Sequence, residues 1–314
     1  MSEHDEAHAI ASEAPTRCGY VALIGEPNAG KSTLTNRLVG TKVSIVTHKV
    51  QTTRTRVRGV FIEGAAQVVI VDTPGLFRPR RRLDRAMVAA AWAGVADADA
   101  VVLMLEAHRG ITEGLERILA ELPERIGRRP VVAAINKIDR VKPPRLLELA
   151  AALAERHDFE RIFMISAEKG SGVEDLRRWL AERMPEGPWL YPEDQVADLP
   201  MRLLAAEVTR EKLTLNLHQE LPYQLTVETE SWQERRDGSV RIDQVVYVAR
   251  EGHKGIALGP GGRTIRAVGT QARRELEEML GTRVHLFLRV KVRPSWMEEP
   301  ERYAELGLDF SDGG

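Results

Sequence analysis

The chain has 314 residues, with 45 lysines and arginines against 46 aspartates and glutamates, for a formal net charge of −1. At 43% hydrophobic it is long enough for two buried cores rather than one, and its neutral balance excludes general stickiness towards polyanions. The single cysteine, Cys18, excludes a disulfide framework and suits a reducing cytoplasm, and no apolar run reaches the roughly 18–20 residues that span a bilayer.

Residues 1–16 read as a disordered acidic arm. Met1 to Pro15 is acidic and alanine-rich without an apolar core, unlike a signal or transit peptide. From Arg17 to about Met184, strand and helix patterns alternate, which predicts an α/β domain over 17–185 with a mostly parallel sheet. Its first strand, Tyr20 to Ile24, runs into Gly25-Glu26-Pro27-Asn28-Ala29-Gly30-Lys31-Ser32, and Thr33 to Leu38 continues with helical spacing. A strand, a glycine turn and a helix N-terminus aim backbone N–H groups at one point, where an anion fits. The glycines allow close wrapping around phosphates, Lys31 reaches the β and γ oxygens, and the Ser32 hydroxyl is placed for Mg²⁺. This pattern predicts nucleoside triphosphate binding.

The polar stretch from Thr41 to Arg58 fits a switch loop, and Gln51-Thr52-Thr53-Arg54 lies within it. One threonine there is expected to touch Mg²⁺ in the triphosphate state, Thr53 in preference to Thr52. The strand Val68 to Val71 then delivers Asp72 to its tip, followed by Thr73-Pro74-Gly75. A carboxylate at that tip holds the Mg²⁺ shell, and Gly75 can offer its N–H to the γ-phosphate. Arg78, Arg80, Arg81, Arg82 and Arg85 follow, either as a solvated helix start or as an RNA contact that changes with nucleotide state.

Pro130 to Ile135 reads as a buried strand ending in Asn136-Lys137-Ile138-Asp139. One carboxylate there accepts both guanine N1–H and N2–H, whereas adenine would leave Asp139 unpaired, and unpaired polar groups are how sites reject an analogue. Lys137 is expected to lie along the base and the phosphate loop. Leu146 to Glu155 and Val173 to Arg183 are amphipathic helices. Between them the strand Arg161 to Ile165 leads to Ser166-Ala167-Glu168, whose Ala167 N–H is expected to meet the guanine oxygen. The base is therefore guanine, and the nucleotides are GTP and GDP.

Prolines and acids over 186–199 mark a linker. The segment 200–293 is a second, α+β domain. Leu225 to Glu228, Val245 to Val248 and Val284 to Val290 alternate like half-buried strands. Between Gly252 and Arg274 five basic residues stand without an acid, and they surround Gly259-Pro260-Gly261-Gly262. This loop, with the helical run Thr264 to Leu280 behind it, matches a KH domain, in which such a loop clamps the backbone of about four single-stranded nucleotides. The strand-rich half before the loop, then a helix and a final strand, is the type II order. Gly259, Pro260, Gly261, Gly262, Arg263 and Arg266 are the expected RNA contacts. The loop departs from many of its kind in having no Lys or Arg between its glycines. Residues 294–314 form an acidic tail. His48, His108, His157, His218 and His285 show no metal-ligand spacing.

Thr-Thr-Arg, Asp-Thr-Pro-Gly, Asn-Lys-x-Asp and Ser-Ala-Glu, in this order and followed by a KH pattern closed by Val290-Lys291-Val292 and Trp296, resemble the bacterial Era family of translation-factor-like small GTPases. The resemblance runs from about Arg17 to Leu308. It implies a monomeric, slow GTPase that binds 16S rRNA near its 3′ end, assists 30S subunit maturation, and is cytoplasmic with loose association at the inner membrane. Ras-like enzymes carry, after the last glycine of the Asp-x-x-Gly motif, a Gln that orients the attacking water. Here that position is Leu76, which cannot do so. Related GTPases with Asn at the Asn28 position use it to hold a K⁺ in place of an arginine finger, so the resemblance places K⁺ there, and Asn28, Lys31, Thr53 and Gly75 form the expected catalytic set. Two other readings remain open on sequence: a nucleotide-gated RNA-binding module with vestigial hydrolysis, and a related GTPase of tRNA modification or metal transport.

Overall fold

The computed structural model describes residues 15–49, 52–218 and 221–311. Most of the expected N-terminal arm, Gln51 of the Gln-Thr-Thr-Arg run and the last three residues lie outside the described residues.

The first half is a six-stranded sheet in the order β2-β3-β1-β4-β5-β6. β1 (Arg17–Gly25), β3 (Ala66–Asp72), β4 (Ala100–Glu106), β5 (Val131–Asn136) and β6 (Arg161–Ile165) run parallel, and β2 (Val57–Glu63) closes one edge antiparallel to β3. Every residue of β3, β4 and β5 is buried, as expected of strands covered on both faces. Alternate side chains of β1 divide between two cores. Val21 and Leu23 pack under α1 (Lys31–Val39) and α5 (Val173–Arg183), whereas Ala22 and Ile24 face α2 (Arg82–Ala96), α3 (Glu113–Ile126) and α4 (Pro143–Ala154). This three-layer arrangement brings the ends of β1, β3, β5 and β6 to one rim, where ligands of open α/β sheets bind.

The second half orders α6 (Met201–Asn216), β7 (Leu225–Glu234), β8 (Val240–Val248), α7 (Glu251–Leu258), α8 (Arg263–Leu280) and β9 (Val284–Val292). β7 is antiparallel to β8, and β8 is parallel to β9, the type II KH topology. The sequence reading names no helix at α6. Its buried face includes Glu207, Thr209, Arg210, Glu211 and Thr214, so polar side chains that serve an interface obscure the apolar stripe that normally announces a helix.

Two segments prove more tightly held than composition implies. The proline-rich linker runs along the outer edge of the first sheet. Val60 N–H donates to Val196 O at 2.9 Å, and the buried Gln67 side chain receives the N–H groups of Leu190 and Tyr191 at 2.9 and 3.0 Å. The acidic C-terminal segment folds back as a turn and α9 (Pro300–Glu305). Trp296, Tyr303, Leu306 and Leu308 pack there against Leu83, Ala86, Met87 and Ala90 of α2.

Candidate functional site

The loop between β1 and α1 forms one wall of a cleft of about 550 Å³, lined among others by Pro27, Asn28, Gly30, Lys31, Ser32, Thr33, Thr53, Gly75 and Lys137. Gly30 is required on two counts. Its φ is +99°, and a Cβ would stand 2.1 Å from the Asn136 amide nitrogen. Lys31 is 6% exposed and curls over its own loop, with Nζ donating to Gly25 O at 3.1 Å and Glu26 O at 3.0 Å. Burial draws its pKa down to about 8, against the opposing pull of Asp72, Glu26 and Glu106. A buried ammonium whose hydrogen bonds go to loop carbonyls is a group built to meet an anion.

At the other end of the cleft floor, the Ser32 and Thr53 hydroxyls are 2.8 Å apart. Thr52 turns elsewhere, with its hydroxyl to Thr47 and the Lys49 carbonyl at 2.7 Å each. Asp72 is fully buried; its Oδ2 accepts from Ser44 Oγ at 2.7 Å, and its Oδ1 has no hydrogen-bond partner. Burial raises its pKa despite the Ser44 and Ser32 hydroxyls and Lys31. Two hydroxyls and a carboxylate with an unused oxygen are the hard-oxygen set that suits Mg²⁺. Among the described residues no group of three or more His, Cys, Asp or Glu could hold a metal ion, so softer metals have no such candidate there.

Gly75 lies against the phosphate loop so closely that a Cβ would come within 2.8 Å of Pro27 N. Thr73 Oγ1 donates to Leu23 O at 2.6 Å, tying the Thr73-Pro74 bend to β1. Leu76 donates its N–H to Gly25 O at 3.0 Å, and its side chain is buried in the core beside α2. Residue 76 therefore offers no polar side chain to orient water.

Asn136 braces the base end of the cleft. Its Nδ2 donates to Ala29 O at 2.8 Å and its Oδ1 accepts from Ala167 N–H at 2.9 Å. The Ala167 N–H, expected to meet the guanine oxygen, is in this structure engaged by Asn136, which ties the loop after β6 to the end of β5. Lys137, with φ +65°, reaches back over the loop to Asn28 O at 2.8 Å and to Glu106 at 2.5 Å. Asp139 is exposed at the rim, and the Ser166 hydroxyl donates to it at 2.6 Å, which holds its carboxyl below the usual range. Glu168 is exposed, and its carbonyl and that of Ala167 receive Arg37. Glu26 accepts from Thr112 Oγ1 at 2.5 Å, fixing the loop to the start of α3.

Sequence reasoning missed Ser44, Glu106 and Arg109, the last of which lines the cleft with its guanidinium 3.5 Å from Glu106. Ser44 carries no motif, and Glu106 reads only as the end of an apolar strand.

In the second half, Gly259, Gly261 and Gly262 all have positive φ, and a Cβ at Gly259 would lie 2.1 Å from Thr264 Oγ1. Pro260 and Gly261 are exposed at the tip, and α8 begins directly behind. Arg263 and Arg266 are both exposed, and both fold back on the loop, Arg263 Nε to Pro260 O at 3.3 Å and Arg266 Nε to Gly262 O at 3.2 Å. Ile256, 56% exposed on α7, adds an apolar surface beside them.

Comparison with known proteins agrees with this geometry. A family model described as a 50S ribosome-binding GTPase matches residues 20–137, and a KH-domain model matches residues 220–297. The chain is 71% identical to the GTPase Era of Dinoroseobacter shibae, over 96% of this chain and 98% of that one. Among solved structures, Era in complex with MgGDPNP and nucleotides 1506–1542 of 16S ribosomal RNA superposes with a TM-score of 0.87 at 38% identity, over 93% of this chain and 99% of that one. A variant of Aquifex aeolicus Era bound to GDP·AlF4⁻ gives the same TM-score, identity and coverage.

Proposed function

The chain belongs to the GTPase Era family, and on that premise we propose that it couples GTP hydrolysis to binding of the 3′-terminal region of 16S rRNA and so assists 30S subunit assembly. It binds GTP and hydrolyses it to GDP and phosphate. What remains is how its own residues divide that work.

The backbone of residues 25–33 cradles the phosphates, and Lys31 leaves the Gly25 and Glu26 carbonyls for the β and γ oxygens, regaining full charge there. Mg²⁺, held by Ser32, Thr53 and Asp72, would neutralise charge developing on the phosphoryl oxygens. Gly75 approaches Pro27 closely enough to sense the γ-phosphate, and with Thr73 and Pro74 it forms a bend that can relax once that phosphate leaves. Asp139, kept ionised by Ser166, selects guanine; Asn136 and Ala167 hold the rim, and Lys137 covers the ring. With Leu76 buried in the core, intrinsic turnover is slow, and a K⁺ held at Asn28 would supply positive charge at the phosphates.

RNA binding rests on the Gly259–Gly262 loop and the basic start of α8. Positive-φ glycines let the backbone lie against phosphates, Arg263 and Arg266 turn from loop carbonyls to the ligand, and Ile256 offers a bare apolar surface to a base. No described helix is long and apolar enough to cross a membrane; association with the inner membrane would be peripheral, and the working form a monomer in the cytoplasm.

The observation that carries this reading is the pairing of a guanine-nucleotide cleft and a glycine-rich RNA loop in one chain, with relatives that match it almost end to end. GTP turnover, measured with and without 30S particles and with a single-stranded RNA from the 16S 3′ end, tests it. The 3′-end RNA should bind tightly and the particles should change the rate; a protein indifferent to both would lose the ribosomal assignment while keeping the GTPase one.

A further inference from the structure

The switch segment carries a buried arginine that the nucleotide cleft does not use. Arg54 is 1% exposed, yet its guanidinium is not spent inside the first half. It crosses to the second, where Nη1 donates to Leu225 O at 2.7 Å and Nη2 to Pro222 O at 3.1 Å, with the Trp296 ring centre 5.8 Å from its central carbon. Two residues earlier in the chain a second tether runs the opposite way. Arg210 of α6, 2% exposed and clasped by Glu207 at 2.5 Å, donates to the Thr52 carbonyl. Between these tethers stands Thr53, whose hydroxyl lies 2.8 Å from that of Ser32.

We infer that Arg54 is a positioning residue for GTP hydrolysis: its guanidinium, seated on the Pro222 and Leu225 carbonyls, holds Thr53 over Ser32, so the cleft is complete only while the two halves are docked. This rests on the GTPase reading above and names the regulation of that site. Adjacent Cα atoms are about 3.8 Å apart, so anchors on both neighbours leave Thr53 almost no independent travel. A buried guanidinium is costly unless its N–H groups are met; Nη1 and Nη2 of Arg54 are met by the Leu225 and Pro222 carbonyls. Arg54 therefore cannot idle in its socket when the carbonyls withdraw. Three further contacts along the same loop hold the docked geometry: Lys42 to Glu211 at 2.7 Å, Val46 N–H to Glu211 at 2.8 Å, and Lys49 to Thr214 O at 2.6 Å. Any ligand that shifts the second half drags the hydroxyl with it, and a misplacement of about 1 Å costs on the order of 100-fold in rate.

A merely structural arginine would affect both nucleotides alike. One that acts through Thr53 affects the triphosphate, since only that state uses the Thr53 hydroxyl. The test takes the full-length protein with Arg54→Ala, Arg54→Lys, Thr53→Ala and the double variants, and reads kcat, KM, and affinity for GDP and for a non-hydrolysable GTP analogue. Arg54→Ala should lower kcat by roughly 10- to 100-fold and weaken the analogue about tenfold, with GDP affinity within about twofold of wild type. Arg54→Lys, which keeps the charge but reaches one carbonyl, should fall between. On the Thr53→Ala background neither Arg54 change should have further effect. If Arg54→Ala fails to bind GDP and melts early, the lysine pair completes the same cycle. Multiplicative effects in the double variants, or equal losses for GDP and the analogue, overturn the inference. A wild-type protein that does not turn over GTP overturns the GTPase reading instead.

Discussion

The Ser166 hydroxyl donates to the Asp139 carboxylate at 2.6 Å, linking the loop after β6 to the one after β5. This bond fixes one oxygen and keeps the group charged, so the carboxylate presents a fixed acceptor pair to the purine edge. Asp139→Asn inverts one of those contacts. GTP affinity should fall by about 2–4 kcal/mol, the scale of a charge-assisted bidentate contact, and xanthosine triphosphate should gain in its place. Competition binding with both nucleotides measures it, and unchanged GTP affinity would remove the guanine assignment.

Asn28 has φ +67°, a conformation asparagine tolerates better than alanine. Asn28→Gly is thus the clean deletion of its side chain. Turnover of the wild type should slow roughly tenfold or more when K⁺ is replaced by Na⁺, and the glycine variant should be slow in both salts while still binding GDP. Equal wild-type rates in the two salts would count decisively against a K⁺ role.

RNA affinity should be separable from GTP chemistry. Gly262 has φ +75° and caps α8, so Gly262→Asp combines backbone strain with a carboxylate where phosphates must lie. Binding of a 16S 3′-end RNA should collapse, with GTP turnover in the absence of RNA within about threefold of wild type. Arg263→Ala should weaken binding less and reduce the slope of log affinity against log salt by about one phosphate contact. Wild-type RNA affinity in the aspartate variant would refute the loop assignment.

The Lys31 ammonium, drawn down to about 8 by burial, is recharged when phosphates arrive. Its pKa in the complex lies above that of the free protein, so binding takes up a proton wherever pH lies between the two. Affinity is full below pH 8 and falls as pH rises through it. Calorimetry of GDP binding without Mg²⁺, in two buffers of different ionisation enthalpy, should show proton uptake near pH 8.5, where the nucleotide's own phosphates are fully ionised. Absence of uptake at the higher pH would show that Lys31 is already fully charged.

The nucleotide cleft was legible because its chemistry is local. Gly25 to Ser32 is one continuous run from the end of β1 into α1, and Asp139 sits at a fixed distance past the end of β5. Partners far apart in sequence were not legible. Asn136 reads as a base contact, yet ties Ala29, 107 residues before it, to Ala167, 31 residues after it; Arg54 reads as part of a switch motif, yet its hydrogen bonds lie beyond residue 220. The α6 helix escaped because Glu207, Arg210 and Glu211 interrupt its apolar stripe, and those residues are buried only once the first half covers them.

The return of Trp296 and Tyr303 to α2 sets an order of events during synthesis. Leu83 and Met87 emerge from the ribosome more than two hundred residues before the side chains that cover them. The first half can close its sheet early, but its α2 face stays greasy until the end of the chain is released. A nascent chain stalled near residue 290 should therefore be a client for chaperones that recognise exposed apolar helices, and the chain released from the ribosome should not. The protein's last turn doubles as a quality mark on its own translation.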